Sequence, residues 1–114
     1  MTVITPETLL ARIQAGDAPA ILDVRSRPEF ERGHLPGAIH IPFLDVGHQS
    51  ASLPADPDQP IIVYCGHGPR AWIAGASLRR RGFSKVVYLA GHMSAWSKRG
   101  FQLEVGVGGI EGKG

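Results

Sequence analysis

Five apolar residues, Ile61-Ile62-Val63-Tyr64-Cys65, run without a break into Gly66-His67-Gly68-Pro69. No other stretch narrows the possible folds so sharply. An uninterrupted, β-branched apolar run predicts a strand buried on both faces, which is the habit of parallel sheets. Pro69 then opens a helix over residues 69–81, with Ala71, Ala74, Gly75 and Leu78 on one face at i, i+3, i+4 and i+7. Those small side chains let the helix lie close to a sheet, and Gly82 is its expected stop.

The same alternation recurs along the chain. Val3-Ile4 starts a short strand, and Thr5-Pro6 caps and opens a helix carrying Leu9, Leu10 and Ile13, ended by Gly16. Residues 20–24 read as a buried strand. Ser26 and Glu29 have capping-box spacing, which predicts a brief helix to about Arg32. Residues 38–41 form a third strand closed by Pro42, and residues 86–89 a fifth, followed by a helix over 92–99. Between them, residues 43–60 hold Pro54, Pro57 and Pro60, so a weak helix before Leu53 and then a loop are expected. Strands alternating with helices predict an α/β fold, a parallel sheet with helices on both faces. At 114 residues and 43% hydrophobic, the chain has the size and apolar content of one packed domain, which excludes wholesale disorder. That domain is expected over residues 1–103, with a flexible glycine-rich tail over 104–114.

Charge and composition exclude several classes. The net charge is only +2, and the one basic cluster, Arg79-Arg80-Arg81, falls where it complements a helix dipole, so no nucleic-acid partner is expected. The longest apolar run is far too short to cross a bilayer, and the first basic residue is Arg12, unlike a secretory leader. A soluble, cytoplasmic protein without a membrane partner is expected. Cys65 is the lone cysteine, which excludes an intrachain disulfide and a multi-cysteine zinc site. The five histidines, His34, His40, His48, His67 and His92, have no short metal-ligand spacing; no metal and no cofactor are expected.

The loop after the central strand carries the chemistry. In Cys65-Gly66-His67-Gly68-Pro69-Arg70 a strand delivers a thiol to the carboxyl edge of the sheet, where such sheets bind ligands. Two glycines let the backbone curl so that amide N–H groups turn inward, and the next helix adds unpaired N–H groups and a positive dipole end. This is an anion cradle around one sulfur. Helix N-termini and nearby cations lower thiol pKa values from about 8.5 into roughly the 3.5–7.5 range, and the thiolate is the nucleophile. Arg70 closes the loop with a fork of donors suited to an oxyanion.

Three readings compete with a reactive cysteine. Cys65 is a small buried hydrophobe if the glycines serve only a tight turn. Gly66-x-Gly68-x-x-Ala71 matches a loose dinucleotide fingerprint, but no acidic residue follows at the end of the next strand, Leu89-Ala90-Gly91-His92. Cysteine phosphatases place five residues between cysteine and arginine; here four separate Cys65 from Arg70. The shorter cradle is narrow for a phosphate group but has space for one added sulfur.

Four blocks resemble the rhodanese family of sulfurtransferases, over residues 2–103: Leu22-Asp23-Val24-Arg25 with Glu29-Phe30, Gly33-His34-Leu35-Pro36-Gly37-Ala38-Ile39, Val63-Tyr64-Cys65 with its six-residue loop, and 91–96. The resemblance implies a three-layer α/β/α fold around a five-stranded parallel sheet. It also implies that Cys65 takes a sulfane sulfur from a donor such as thiosulfate, as a persulfide held by the amides of Gly66, His67, Gly68 and Arg70 in the loop closed by Pro69. A thiophilic acceptor (cyanide, a thiol or sulfite) then removes the sulfur. Arg70 is implied to place the donor's charged group, and a protein partner in sulfur relay is implied as well. Thiosulfate-using relatives carry a basic residue just after the cysteine, where this chain has Gly66. Tyr64-Cys65-Gly66-His67-Gly68 is similar to rhodanese domains associated with persulfide dioxygenases, which implies a glutathione persulfide or polysulfide donor. The family's double glycine before the last helix reads Gly91-His92 here. Asp23, Arg25, Glu29 and His34 are expected to form a structural hydrogen-bonded network at the strand ends, and Trp72 and Trp96 to pack in the core or at the pocket rim. The alternative to an enzyme is a carrier or regulatory binding module that keeps the fold without turnover.

Overall fold

A computed structural model describes residues 1–106 and has the expected α/β architecture, with an all-parallel sheet in the order β1-β5-β4-β2-β3. The strands are β1 (Thr2–Ile4), β2 (Ala20–Asp23), β3 (Ile39–His40), β4 (Ile61–Tyr64) and β5 (Val86–Leu89). The helices are α1 (Pro6–Ala15), α2 (Arg27–Arg32), α3 (Val46–Gln49), α4 (Pro69–Arg80) and α5 (His92–Lys98).

The pleat sorts the central strands into two cores. Leu22, Val24, Ile61, Val63 and Cys65 face α3 and α4, where they meet Val46, Ala71, Ala74 and Leu78. Ile21, Ile62 and Tyr64 face the other way, onto Leu9 of α1, Phe30 of α2 and Trp96 of α5. With both faces covered, β2 and β4 read as continuous apolar runs rather than alternating ones. The small-residue face of α4 lies against the sheet so closely that a Cβ on Gly75 would overlap the Tyr88 hydroxyl.

Local signals set most of the ends. The Thr5 hydroxyl accepts from the Thr8 N–H at 3.1 Å, and Gly16 closes α1 in the left-handed region at φ 76°. Ser26 and Glu29 complete the capping box of α2. Other ends differ from expectation. Strand β3 is two residues long: the Ala38 N–H closes a turn onto the Leu35 carbonyl before it, and after it the Ile41 and Phe43 N–H groups still bond to the Asp23 and Val24 carbonyls as the chain turns away at Pro42. The expected weak helix before Leu53 divides into α3 flanked by 3-10 turns at Phe43–Asp45 and Ser50–Ser52; none has a side-chain cap, and Gly47 sits in its middle. At residue 104, the expected boundary, the chain is still paired with the rest of the domain. His34 and Glu104 exchange main-chain hydrogen bonds at 2.9 Å, the Glu104 carboxylate accepts from the Gly37 N–H, and the Gly106 N–H reaches the Glu31 carbonyl. Residues 107–114 of that expectation lie outside the described residues.

The topology chooses where a ligand belongs. From β2 the chain leaves through α2 on one face to β3; from β4 it leaves through α4 on the opposite face to β5. The two connections part above the carboxyl ends of β2 and β4, the crevice position of open α/β sheets. On the β2 side the crevice floor is ionic. Asp23 is fully buried and accepts from Arg25 through Nε and Nη2 at 3.1 and 2.8 Å, and from the Tyr64 hydroxyl at 2.6 Å. Arg25 also donates to the Gly33 carbonyl, and the Tyr64 hydroxyl accepts from the Leu35 N–H. Burial is the largest single influence and disfavours the Arg25 charge, but the hydrogen bond to Asp23 together with the attraction of Asp23, Tyr64 and Glu29 holds the guanidinium above its ordinary value. Removing one partner from such a set strands a buried charge. Asp23→Ala is therefore expected to cost about 3–5 kcal/mol in urea denaturation, against about 0.5 kcal/mol or less for Asp17→Ala on the surface. Equal losses would show that the pair does not organise the strand ends.

Candidate active site

Cys65 follows the last residue of β4, and strand parity turns its side chain to the α4 face. Gly66-His67-Gly68 brings the chain back so that Gly68 is the N-cap of α4 and Pro69 its first residue. The sulfur therefore lies at the positive end of a twelve-residue helix. Cys65 is only 1% exposed, as a structural cysteine would be. Its surroundings set it apart from one. The Gly68 N–H donates to Sγ at 3.0 Å, and the N–H groups of Gly66, His67, Arg70 and Ala71 have no hydrogen-bond partner among the described residues. The loop and the first turn of α4 thus hold main-chain donors with no partner among the described residues, which is capacity for a further acceptor.

Gly68 is required twice over. Its φ of 140° is one that side chains rarely adopt, and an added Cβ would lie 2.8 Å from the Trp72 ring. Trp72 forms the rim at 46% exposure, whereas Trp96 is buried in the α1–α2–α5 core. His67 and Pro69 are exposed at the mouth of the loop.

Arg70 lies over Gly66, whose Cβ position is 3.1 Å from Nη2. Its guanidinium clasps Glu29 of α2 in a two-point pair, Nη1 to Oε1 at 2.7 Å and Nη2 to Oε2 at 3.1 Å. The bond to Arg70 is the main reason that the Glu29 carboxyl is lowered to about 2, with the Ser26 N–H and hydroxyl adding to it. Glu29 thus caps α2 and neutralises the loop's arginine. It does not join Asp23 and Arg25, so the single network expected of Asp23, Arg25, Glu29 and His34 is in fact three separate sets. His34 is fully buried, with Nδ1 2.7 Å from the Phe30 carbonyl and its ring stacked on Phe30.

The third wall is the start of α5. The Met93 N–H donates to the Cys65 carbonyl at 2.9 Å and the Ser94 N–H to the Gly66 carbonyl at 3.1 Å. The Cys65 N–H donates to Nδ1 of His92 at 3.2 Å. His92 is 6% exposed and adopts φ 55°, the one non-glycine residue in the left-handed region among the described residues. That backbone costs roughly 1–2 kcal/mol for a residue with a Cβ. Spacing alone assigns His92 no contact with Cys65; the Gly91-His92 pair in place of a double glycine is the one available signal. A surface cavity of about 540 Å³, lined by Arg12, Asp17, Pro54 and Pro60 among others, opens at the opposite, amino-terminal edge of the sheet and has no part in this chemistry.

Comparison with known proteins gives the family and the fold. The Rhodanese-like domain model matches residues 5–99. The thiosulfate sulfurtransferase GlpE of Actinobacillus succinogenes is 32% identical over 107 residues, 94% of each chain. The putative sulfur carrier protein YrkF of Bacillus subtilis is 30% identical over 94 residues, and the chain spans half the length of that relative. Among solved structures, the Alr3790 protein from Anabaena superposes with a TM-score of 0.80 at 29% identity, covering 91% of this chain and 93% of its own.

Two outcomes follow from the loop's geometry. Gly68→Ala is expected to lose about 2–5 kcal/mol, strain and overlap combined, while Gly82→Ala, also at positive φ but with open space around it, loses only about 1–2 kcal/mol. Similar urea midpoints for the two would remove the claim that Trp72 closes on Gly68. The second concerns acid. A carboxyl held low in the folded state contributes stability that is complete above its ordinary value of 4.5 and lost as pH falls through about 2. The stability gap between wild type and Glu29→Gln should hold constant from neutral pH down to about 5 and narrow below 4.5. A gap independent of pH would count against the Arg70–Glu29 pair.

Proposed function

For this chain, which belongs to the Rhodanese-like domain family, we propose a sulfurtransferase that works through a Cys65 persulfide. The observation that carries the reading is the sulfur at the head of α4, bonded by the Gly68 N–H in a loop whose Gly66, His67 and Arg70 N–H groups have no partner among the described residues. The Cys65 thiolate attacks the sulfane sulfur of a donor. A bond forms between Sγ and that sulfur, the donor's own bond to it breaks, and the leaving group departs with the electron pair, as sulfite from thiosulfate or as a thiolate from a persulfide. The outer sulfur then carries the negative charge that the free main-chain donors of Gly66, His67 and Arg70 can meet, beside the Gly68 N–H already bonded to Sγ. An acceptor thiolate, cyanide or sulfite attacks the outer sulfur and returns the Cys65 thiolate.

Donor class follows from the charge around the loop. GlpE is named a thiosulfate sulfurtransferase, so thiosulfate is one donor we assign here. Glu29 cancels the Arg70 charge while leaving N–H groups on the guanidinium able to donate. That arrangement favours a donor whose reacting end has little charge over a compact dianion. Together with the Gly66 that stands where thiosulfate users have a base, it supports a glutathione persulfide or polysulfide as the better donor. YrkF, a putative sulfur carrier, favours a second reading in which the domain loads and passes sulfur only to a partner protein.

Incubation with thiosulfate or glutathione persulfide should add one labile sulfur to the Cys65 peptide, seen by mass spectrometry and absent in Cys65→Ser. Arg70→Ala should slow loading by about tenfold while costing about 1 kcal/mol or less of stability, since its one ion pair is partly exposed. No added sulfur from either donor would overturn the reading, and single loading without turnover in the presence of a thiol acceptor would favour the carrier.

A further inference from the structure

His92 is placed where a regular sheet would offer a main-chain acceptor. Tyr64 ends β4, and β5 ends at Leu89 before turning through Ala90-Gly91. The Cys65 N–H is left with no strand carbonyl to meet, and the imidazole supplies the acceptor instead. A main-chain N–H can only donate, so Nδ1 must hold a lone pair and the ring's proton sits on Nε2. The ring reaches this position only because the residue adopts a left-handed φ of 55°. A strained backbone that persists beside a nucleophile calls for a gain elsewhere, and the gain visible here is the bond to Cys65.

We propose that His92 is a positioning residue for sulfur transfer: its uncharged ring, by accepting the Cys65 N–H, holds the peptide that carries the thiol in register with the Gly68 N–H. This rests on the reading of Cys65 as the sulfur acceptor. The Met93 and Ser94 N–H groups hold the carbonyls of Cys65 and Gly66 from the same helix end, so His92 supplies the acceptor in a three-bond clamp whose other two members are main-chain donors. It is also the one member that a proton can disable, because an imidazolium has no acceptor left. Burial, and then the nearby His67, hold His92 below its ordinary value of 6.5. The other ionisable groups around the loop are Cys65 itself and Arg70, the latter paired with Glu29 of α2; at the far end of α5, Arg99 is paired with Glu7 of α1. Sulfur loading is therefore insensitive to this ring at neutral pH and declines as acid protonates it.

Two substitutions separate positioning from packing. His92→Asn keeps an acceptor oxygen near the place of Nδ1, tolerates the left-handed backbone and does not titrate in this range. His92→Gly relieves the backbone but removes the acceptor. The expected result is loading close to the wild-type rate for His92→Asn with the acid decline gone, and loading about tenfold slower for His92→Gly in a protein that NMR shows still folded. Independently of activity, the Cys65 amide signal in ¹⁵N NMR should shift with the protonation of His92 in the wild type and stay still in His92→Asn. Wild-type loading by His92→Gly, or an amide signal that ignores the ring, overturns the proposal. Should the wild type take up no sulfur, the functional reading fails, and the NMR titration still decides whether the ring holds the Cys65 peptide.

Discussion

The last turn of the pleat at the end of β4 is the constraint on which the rest depends. Tyr64 and Cys65 are neighbours, so their side chains leave the sheet on opposite faces. Tyr64 goes down into the Asp23–Arg25 pair and fixes the strand end from one side. Cys65 goes to the side of α4, whose first turn supplies the Gly68 N–H. A slip of one residue would exchange them, placing a phenol at the helix terminus and a thiol over a buried ion pair. The buried charges of β2 thus serve the sulfur without touching it, because they set the register of the strand that delivers it.

What the sequence made legible is what short-range chemistry decides. The Thr5-Pro6 and Ser26–Glu29 caps, the small-residue face of α4 and the all-apolar β4 each act within a few residues, and each stands where it was expected. The elements that moved are the ones with no local signal. Residues 43–53 lack capping side chains, so packing against α4 and not propensity decides their form. Glu104 belongs to the body because His34 and Gly37, some seventy and sixty-seven positions earlier in the chain, offer it partners. Arg70 meets Glu29 across forty-one positions, and His92 meets Cys65 across twenty-seven. Pairings of that kind depend on the sheet order, which no window of sequence contains. The candidate nucleophile and its glycines were legible; the groups that set their charge and position were not.

Glu29 changes how the loop's electrostatics are understood. An arginine at the head of a cysteine loop reads as a free cation for a substrate, but here it is half of a two-point pair. Besides that paired arginine, Sγ meets the Gly68 main-chain N–H and the positive end of α4. Fixed dipoles of this sort differ from a mobile cation in one respect that matters for catalysis: they need no reorganisation when charge moves from Sγ to an outer sulfur. They also discriminate by distance more than by total charge, because each amide acts over a hydrogen bond's length. The cradle is suited to receiving a single atom at a defined place.

The burial of Cys65 is consistent with this. A thiol that is 1% exposed and lined by core side chains cannot meet a bulky electrophile broadside. In the proposed transfer it meets one sulfur presented end-on past His67, Pro69 and Trp72, so that burial falls on the resting thiol and the added atom is the end nearer the acceptor. A structural cysteine and a sulfur-accepting one share the same low exposure; they part over whether the loop's main-chain donors are already spent, and here those of Gly66, His67 and Arg70 have no partner among the described residues.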